Sequence, residues 1–180
     1  MRRPKHLPNY TVQDYRSWQG DWELIDGIPY AMSPSPKVNH QFLAGQLYLQ
    51  IGNDIKKKKK ICSDCRYLYE VDWIVDDGTV VRPDISVICG KTGDFITSPP
   101  VLIIEILSLS TALNDRNTKF GIYEKQGVKY YILVNPDTKT YTIYVLKNKR
   151  YGKQNKLKSF IIHDTCAIDL DIDNVLSELK

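Results

Sequence analysis

Two acidic side chains carry the strongest chemical signal in the sequence. Asp84 follows Pro83 at the head of an apolar run, "RPDISVI", and Glu105 stands in the middle of another, "VLIIEIL", 21 residues further on. A carboxylate on a core strand costs several kcal/mol or neutralises itself unless a cation compensates it, and the cation here could be a lysine, an arginine or a metal ion. If the two strands are neighbours, the acids converge at one end of a sheet, where they repel each other unless a cation lies between them. Oxygen ligands of this kind select Mg²⁺, or Mn²⁺, over zinc. A hard ion held by two acids, with positions left for water and a phosphate oxygen, suits phosphodiester hydrolysis.

The elements that must position these acids can be read from periodicity. A short helical piece lies around "TVQDYRSW", and "WELIDGIPYAM" reads as a hairpin turning at Asp26-Gly27. Ser35-Pro36 signals a helix start, and Phe42, Leu43, Leu47, Ile51 and Ile55 form one helical face after it. "YLYEVDWI" alternates as one strand, and Asp77-Gly78 turns it back into "TVVRPDISVIC". The strand "VLIIEIL" is followed by a helix from near Asn114 to Gln126, ended by Gly127, and then by the strand "KYYILVN". "TYTIYVLK" and "LKSFIIH" read as an antiparallel pair about a basic turn. The strand, helix, strand passage favours a parallel pair with a right-handed crossover, and the Asp-Gly turn an antiparallel pair before it. The expected fold is therefore α/β, with helices packed on a mixed sheet and β-hairpins at the N- and C-terminal ends.

Composition narrows the class. The 180 residues are 42% hydrophobic and 26% charged, as expected for one globular domain over 1–180. No run approaches the roughly 18 apolar residues of a membrane span, and "MRRPKHLPNY" has no apolar segment after its basic residues, so the expectation is a cytoplasmic protein with no membrane partner. Cys62 and Cys65 form a CxxC, but Cys89 and Cys166 stand alone; a redox pair or half a zinc site is weighed here against free thiols, and free thiols are preferred. The net charge of +4 does not by itself imply nucleic acid. Its distribution offers candidates for gripping a DNA backbone: Lys56, Lys57 and Lys58 at a helix end, and Lys149, Arg150 and Lys153 around the basic turn. A solvated helix end and hairpin tip is the plainer reading of both. "GKT" at 90–92 lacks the earlier glycine of a phosphate loop, since Ile85 stands there, and GxGxxG, HExxH and GxSxG are all absent.

Pro83-Asp84 followed by a strand glutamate, within the order helix, three strands, helix, strand, resembles the PD-(D/E)XK nuclease superfamily. More narrowly, "WELIDGIPYAMSPSP", "VDDGTVVRPDISVI", "PPVLIIEILSLST" and "GVKYYILVNP" are similar to the Uma family of small bacterial restriction-endonuclease-like proteins, over roughly residues 20–147. The resemblance implies a restriction-endonuclease-like core and Mg-dependent hydrolysis of DNA. It also implies a metal bound by Asp84, Glu105 and the backbone carbonyl of Ile106. One departure matters: the superfamily places lysine two positions after the glutamate, where this chain has Leu107. Lys119, on the following helix, is the candidate replacement, with Asp115 as its i, i+4 partner. Glu23 and His40 belong to the matching blocks and are candidates for a second acid and a phosphate or water contact. Three alternatives stay open: a catalytically inactive nucleic-acid-binding relative, a scaffold protein whose acidic pair is merely structural, and a plain ion pair between Glu105 and Lys119. Cutting both strands calls for two sites, which makes a homodimer attractive, although no segment visibly encodes one.

Overall fold

The computed structural model describes residues 7–32, 36–108 and 114–179, with backbone alone for 114–116. A six-stranded mixed sheet forms its centre. Its edge strands are β3 (Cys65–Tyr69) and β10 (Arg150–Gln154), and between them lie β6 (Ile85–Cys89), β7 (Leu102–Ile106), β8 (Tyr130–Asn135) and β9 (Thr140–Lys147), in the order β10-β9-β8-β7-β6-β3. Only β7 and β8 are parallel, with Glu105 opposite Leu133; all other neighbours are antiparallel. Every residue of β7 is buried, as expected for a strand covered on both faces.

The two covers differ. Helix α2 (Val38–Lys57) lays Leu43, Leu47, Ile51 and Ile55 onto the face carrying Leu102, Ile104 and Ile106. The opposite face, with Ile103 and Leu107, packs against the short helix α3 (Phe120–Gln126) through Tyr123. Gly127 ends α3 in the left-handed region at φ 88°, as its position after the last turn predicts. In this central sheet the order α2, β3, β6, β7, α3, β8 reproduces the expected helix, three strands, helix, strand.

A second sheet of four strands, β2-β1-β5-β4, stands beside the first. Its hairpin of β1 (Trp22–Ile25) and β2 (Ile28–Ala31) turns at Asp26-Gly27, where both residues have positive φ, as a tight hairpin turn requires. The other pair is β4 (Trp73–Asp76) with β5 (Thr79–Val81). The continuous strands expected over "YLYEVDWI" and "TVVRPDISVIC" are therefore each broken into two. Glu70 at φ 49° separates β3 from β4, and Pro83, which has no N–H to give a ladder, separates β5 from β6. One long hairpin thus bends from one sheet into the other and leaves Asp84 at the corner.

At the C-terminal end the expected pairing changes. β9 turns at Asn148-Lys149, both at positive φ, and pairs with β10 rather than with the "LKSFIIH" strand. That strand, β11 (Ser159–His163), instead pairs with β12 (Cys166–Asp169) in a separate hairpin, followed by α4 (Ile172–Ser177). The remaining helix, α1 (Val12–Tyr15), is capped reciprocally by Thr11 and Asp14. The preference for free thiols is overturned. Cys62 is bonded to Cys166 and Cys65 to Cys89, so no cysteine is free. The fold brings the turn after α2, β6 and β12 together, and the CxxC spacing therefore serves two different partners. Among the described residues no helix is long and apolar enough to cross a membrane.

Candidate active site

The corner at Pro83 and the middle of β7 meet. The Asp84 N–H donates to Glu105 Oε2 at 3.3 Å, and the Ile106 N–H donates to Asp84 Oδ2 at 2.6 Å. Each acid is thus held by the backbone of the strand that bears the other. The β6–β7 register, with Ile85 opposite Ile104, sets the two acids at adjoining positions.

Lys119 arrives from the opposite side. Residues Asn114–Lys119 form a π-helical turn that leads into α3, a wide turn of the kind often found at functional sites. The Lys119 ammonium lies 3.1 Å from Glu105 Oε1 and 2.8 Å from Glu23 Oε1. All three residues are at least 95% buried. Glu23, on β1, is held in turn by the Arg82 N–H at 2.8 Å. The Arg82 guanidinium ties Asp21 and Asp72 together at 2.6 and 2.7 Å, so the second sheet presents Glu23 from a braced position.

His40 completes the ring from the first turn of α2, with Nε2 3.4 Å from Asp84 Oδ2. Burial alone would lower its pKa. The Asp84 carboxylate outweighs that, helped by Glu70 and the Ile106 carbonyl, and leaves the imidazole pKa raised. Among the described residues, His40 Nδ1 is buried without a hydrogen-bond partner. His40 also lines a cavity of 250 Å³ with Lys37, Asn39, Leu107, Ser108 and Asp137.

One residue of the cluster was not a sequence candidate. Tyr123, wholly buried, donates its hydroxyl to Glu105 Oε1 at 2.8 Å. Burial and then the Glu105 charge push its pKa far up, so it is held as a neutral donor. The available signal was its spacing: Tyr123 stands four residues after Lys119, one helical turn away on the same side.

The other candidates are distributed as follows. The Asp115 side chain lies outside the described residues, as does Ser35 of the helix-start signal; α2 begins at Val38. Lys56, Lys57 and Lys58 sit at the far end of α2, about 25 Å from His40 by helical rise. Lys58 is engaged there by Asp54 and Asp169 at 2.8 and 3.2 Å. Lys149 and Arg150 are at the β9–β10 tip, where Arg150 pairs with Glu124 at 3.1 Å. Lys153 lies further along β10, opposite Tyr144.

Chemically, Glu105 and Glu23 share one ammonium and Asp84 adjoins Glu105, so carboxylates outnumber lysine at the site. Hard oxygen donors in acidic excess fit a divalent cation such as Mg²⁺. Among the described residues, no three His, Cys, Asp or Glu side chains are already gathered as a metal cage.

The comparisons with known proteins agree with this architecture. Residues 12–168 match the model of the Uma2 family, described as "Putative restriction endonuclease". An uncharacterized protein of Synechocystis sp., slr1290, is 30% identical over 150 residues, covering 77% of this chain and 75% of that one. Among solved structures, the crystal structure of a putative nuclease belonging to DUF820 from Anabaena variabilis superposes with a TM-score of 0.74 at 20% identity. The match covers 94% of this chain and 99% of the other, which establishes a shared fold.

Proposed function

The chain belongs to the Uma2 family, the family described as a putative restriction endonuclease, and from that premise we propose that it is a divalent-metal-dependent DNA endonuclease whose lysine has moved to the helix after the glutamate strand. The observation that carries the reading is that Glu105 is contacted at one oxygen by the Asp84 N–H and at the other by the Lys119 ammonium. A structural ion pair alone explains Glu105 and Lys119. It does not explain the adjoining Asp84 or the cavity beside His40.

Asp84, Glu105 and the Ile106 carbonyl would hold Mg²⁺ or Mn²⁺, which when bound polarises the phosphate and lowers the pKa of water. Lys119 contributes a fixed positive charge that supports negative charge developing on the phosphate, and Glu23 limits its freedom. Tyr123 fixes one oxygen of Glu105, leaving the other directed toward Asp84. His40 orients Asp84 from the solvent side and borders the cavity through which the phosphate would enter. A cytoplasmic location and a homodimer that cuts both strands complete the proposal.

The test is relaxation of supercoiled plasmid with Mg²⁺ or Mn²⁺, using Asp84→Asn and Glu105→Gln, which preserve shape. Nicking that requires the ion and vanishes in both variants is expected. Equal nicking in wild type and variants would remove the proposal. The second reading, a non-cleaving nucleic-acid binder, is favoured by Leu107 in place of the superfamily lysine; it predicts salt-sensitive binding indifferent to chelators.

A further inference from the structure

The face of the central sheet that bears Glu105 continues, past the cover of α3, into an open trough of 330 Å³ lined among others by Leu107, Asn135, Thr140, Thr142, Tyr144 and Lys153. Register places this trough beside the acids. Glu105 is opposite Leu133, and Leu133 is opposite Thr142, so the three share one row across β7, β8 and β9. Asn135 opposite Thr140 continues the next row on the same face. At about 4.8 Å per strand, Thr142 stands two strands, roughly 10 Å, from Glu105. Lys153, opposite Tyr144, forms the wall one strand further out.

The lining chemistry is selective. Its described side chains include hydroxyls, a carboxamide and an ammonium, but no carboxylate. Lys58, Arg82, Lys119, Arg150 and Lys158 have carboxylate partners that hold their charge elsewhere. Lys153 has none among the described residues; its Nζ lies over the Tyr144 ring, 6.0 Å from the centroid. The ring itself is half-buried, held edge-on by Phe120 at 4.9 Å.

We infer that this trough binds one unpaired strand of DNA, seating the nucleotide next to the scissile phosphate with its phosphate on Lys153 and the threonine hydroxyls and its base against Tyr144. The inference rests on the nuclease reading for its orientation relative to Glu105. Hydroxyl, amide and lysine donors are the groups that contact sugar and phosphate, and an aromatic beside them is the platform used for unstacked bases. The volume, at the small end of ligand pockets, matches a single nucleotide unit. The partner is therefore a strand that is already open: a flap, a bubble or a frayed end.

The experiment is fluorescence anisotropy of a fluorescein-labelled oligothymidylate in EDTA, against a blunt duplex of the same length carrying the same dye. Wild type should prefer the oligothymidylate. Tyr144→Leu should weaken it on the order of tenfold. Lys153→Ala, an exposed substitution that leaves packing intact, should lower the salt slope of log K by about one. Lys91→Ala, which removes an equal charge near the other end of β6, should leave binding unchanged. Wild-type affinity in both Lys153→Ala and Thr142→Val, equal affinity for the duplex, or no binding by wild type overturns the inference. Binding in EDTA is read separately from cleavage, with the wild-type protein in both assays. In wild type, intact binding in EDTA without metal-dependent nicking would remove the nuclease reading and leave the trough.

Discussion

Lys119 and Glu105, 14 residues apart in sequence, meet at 3.1 Å with both side chains buried. An internal carboxylate on β7 is thereby compensated by an amine from the helix that follows it. The ammonium is shared, because Glu23 approaches it more closely still, at 2.8 Å. Removing the amine should therefore leave two acids facing each other in a dry site.

Lys119→Met is expected to destabilise the protein by roughly 3–5 kcal/mol, the cost of stranding buried charge. Adding Glu23→Gln to that variant should recover part of the loss, since one of the two stranded acids is then neutral. Urea unfolding of the single and double variants checks both. A loss under about 1 kcal/mol in Lys119→Met would mean that these acids are not charged partners.

Tyr123→Phe removes one hydroxyl and nothing else. The stability cost should be about 1.5–3 kcal/mol, that of one hydrogen bond to a charged group. The functional cost is read separately: with Glu105 no longer fixed, half-saturation of nicking by Mn²⁺ should move up roughly tenfold or more, as for other residues that orient metal ligands. An unchanged Mn²⁺ dependence would reduce Tyr123 to core packing.

Gly27→Ala tests the hairpin that carries Glu23. Gly27 has φ 74°, and an added Cβ would lie 3.1 Å from the Asn9 Cα and the Tyr10 carbonyl. A left-handed alanine costs about 1–2 kcal/mol before any clash, so denaturation should show at least that loss. Asp26, the other turn residue at positive φ, is a type that tolerates the region, and Asp26→Asn should be nearly neutral.

The Cys62–Cys166 bond closes a loop of 104 residues and ties β12 to the turn after α2. Loops of that length correspond to about 4–5 kcal/mol of stabilisation in the chain-entropy account. Reductant should lower the urea midpoint strongly in wild type. Cys62→Ser/Cys166→Ser should already show most of that loss, with a smaller further response to reductant from Cys65–Cys89. No response in wild type would show that the thiols are not paired.

The core order and the two acids were legible because burial enforces them: a glutamate inside an all-apolar strand has few structural excuses, and Pro83-Asp84 marks where its neighbour begins. The breaks at Glu70 and Pro83 were not, because alternation runs unbroken through both places while the backbone changes sheets. Alternation reports which side a residue faces, not which sheet it faces from. The partner of β9 was misread because both candidate strands satisfy the same pattern; two consecutive residues at positive φ, Asn148 and Lys149, decide for the tight turn. Cysteine pairing depends on contacts 24 and 104 residues apart, which spacing does not encode. Tyr123 escaped notice because an aromatic one turn from a lysine is ordinary core material until its hydroxyl is seen on Glu105.

Helix α2 also acts as a ruler. One tip brings His40 to the acids, and the opposite tip displays the exposed Lys56 and Lys57. Along B-form DNA, at 3.4 Å per base pair, the roughly 25 Å between them corresponds to about seven base pairs. A duplex touching both tips at once would show a protected footprint at least that long, set by the number of residues in one helix.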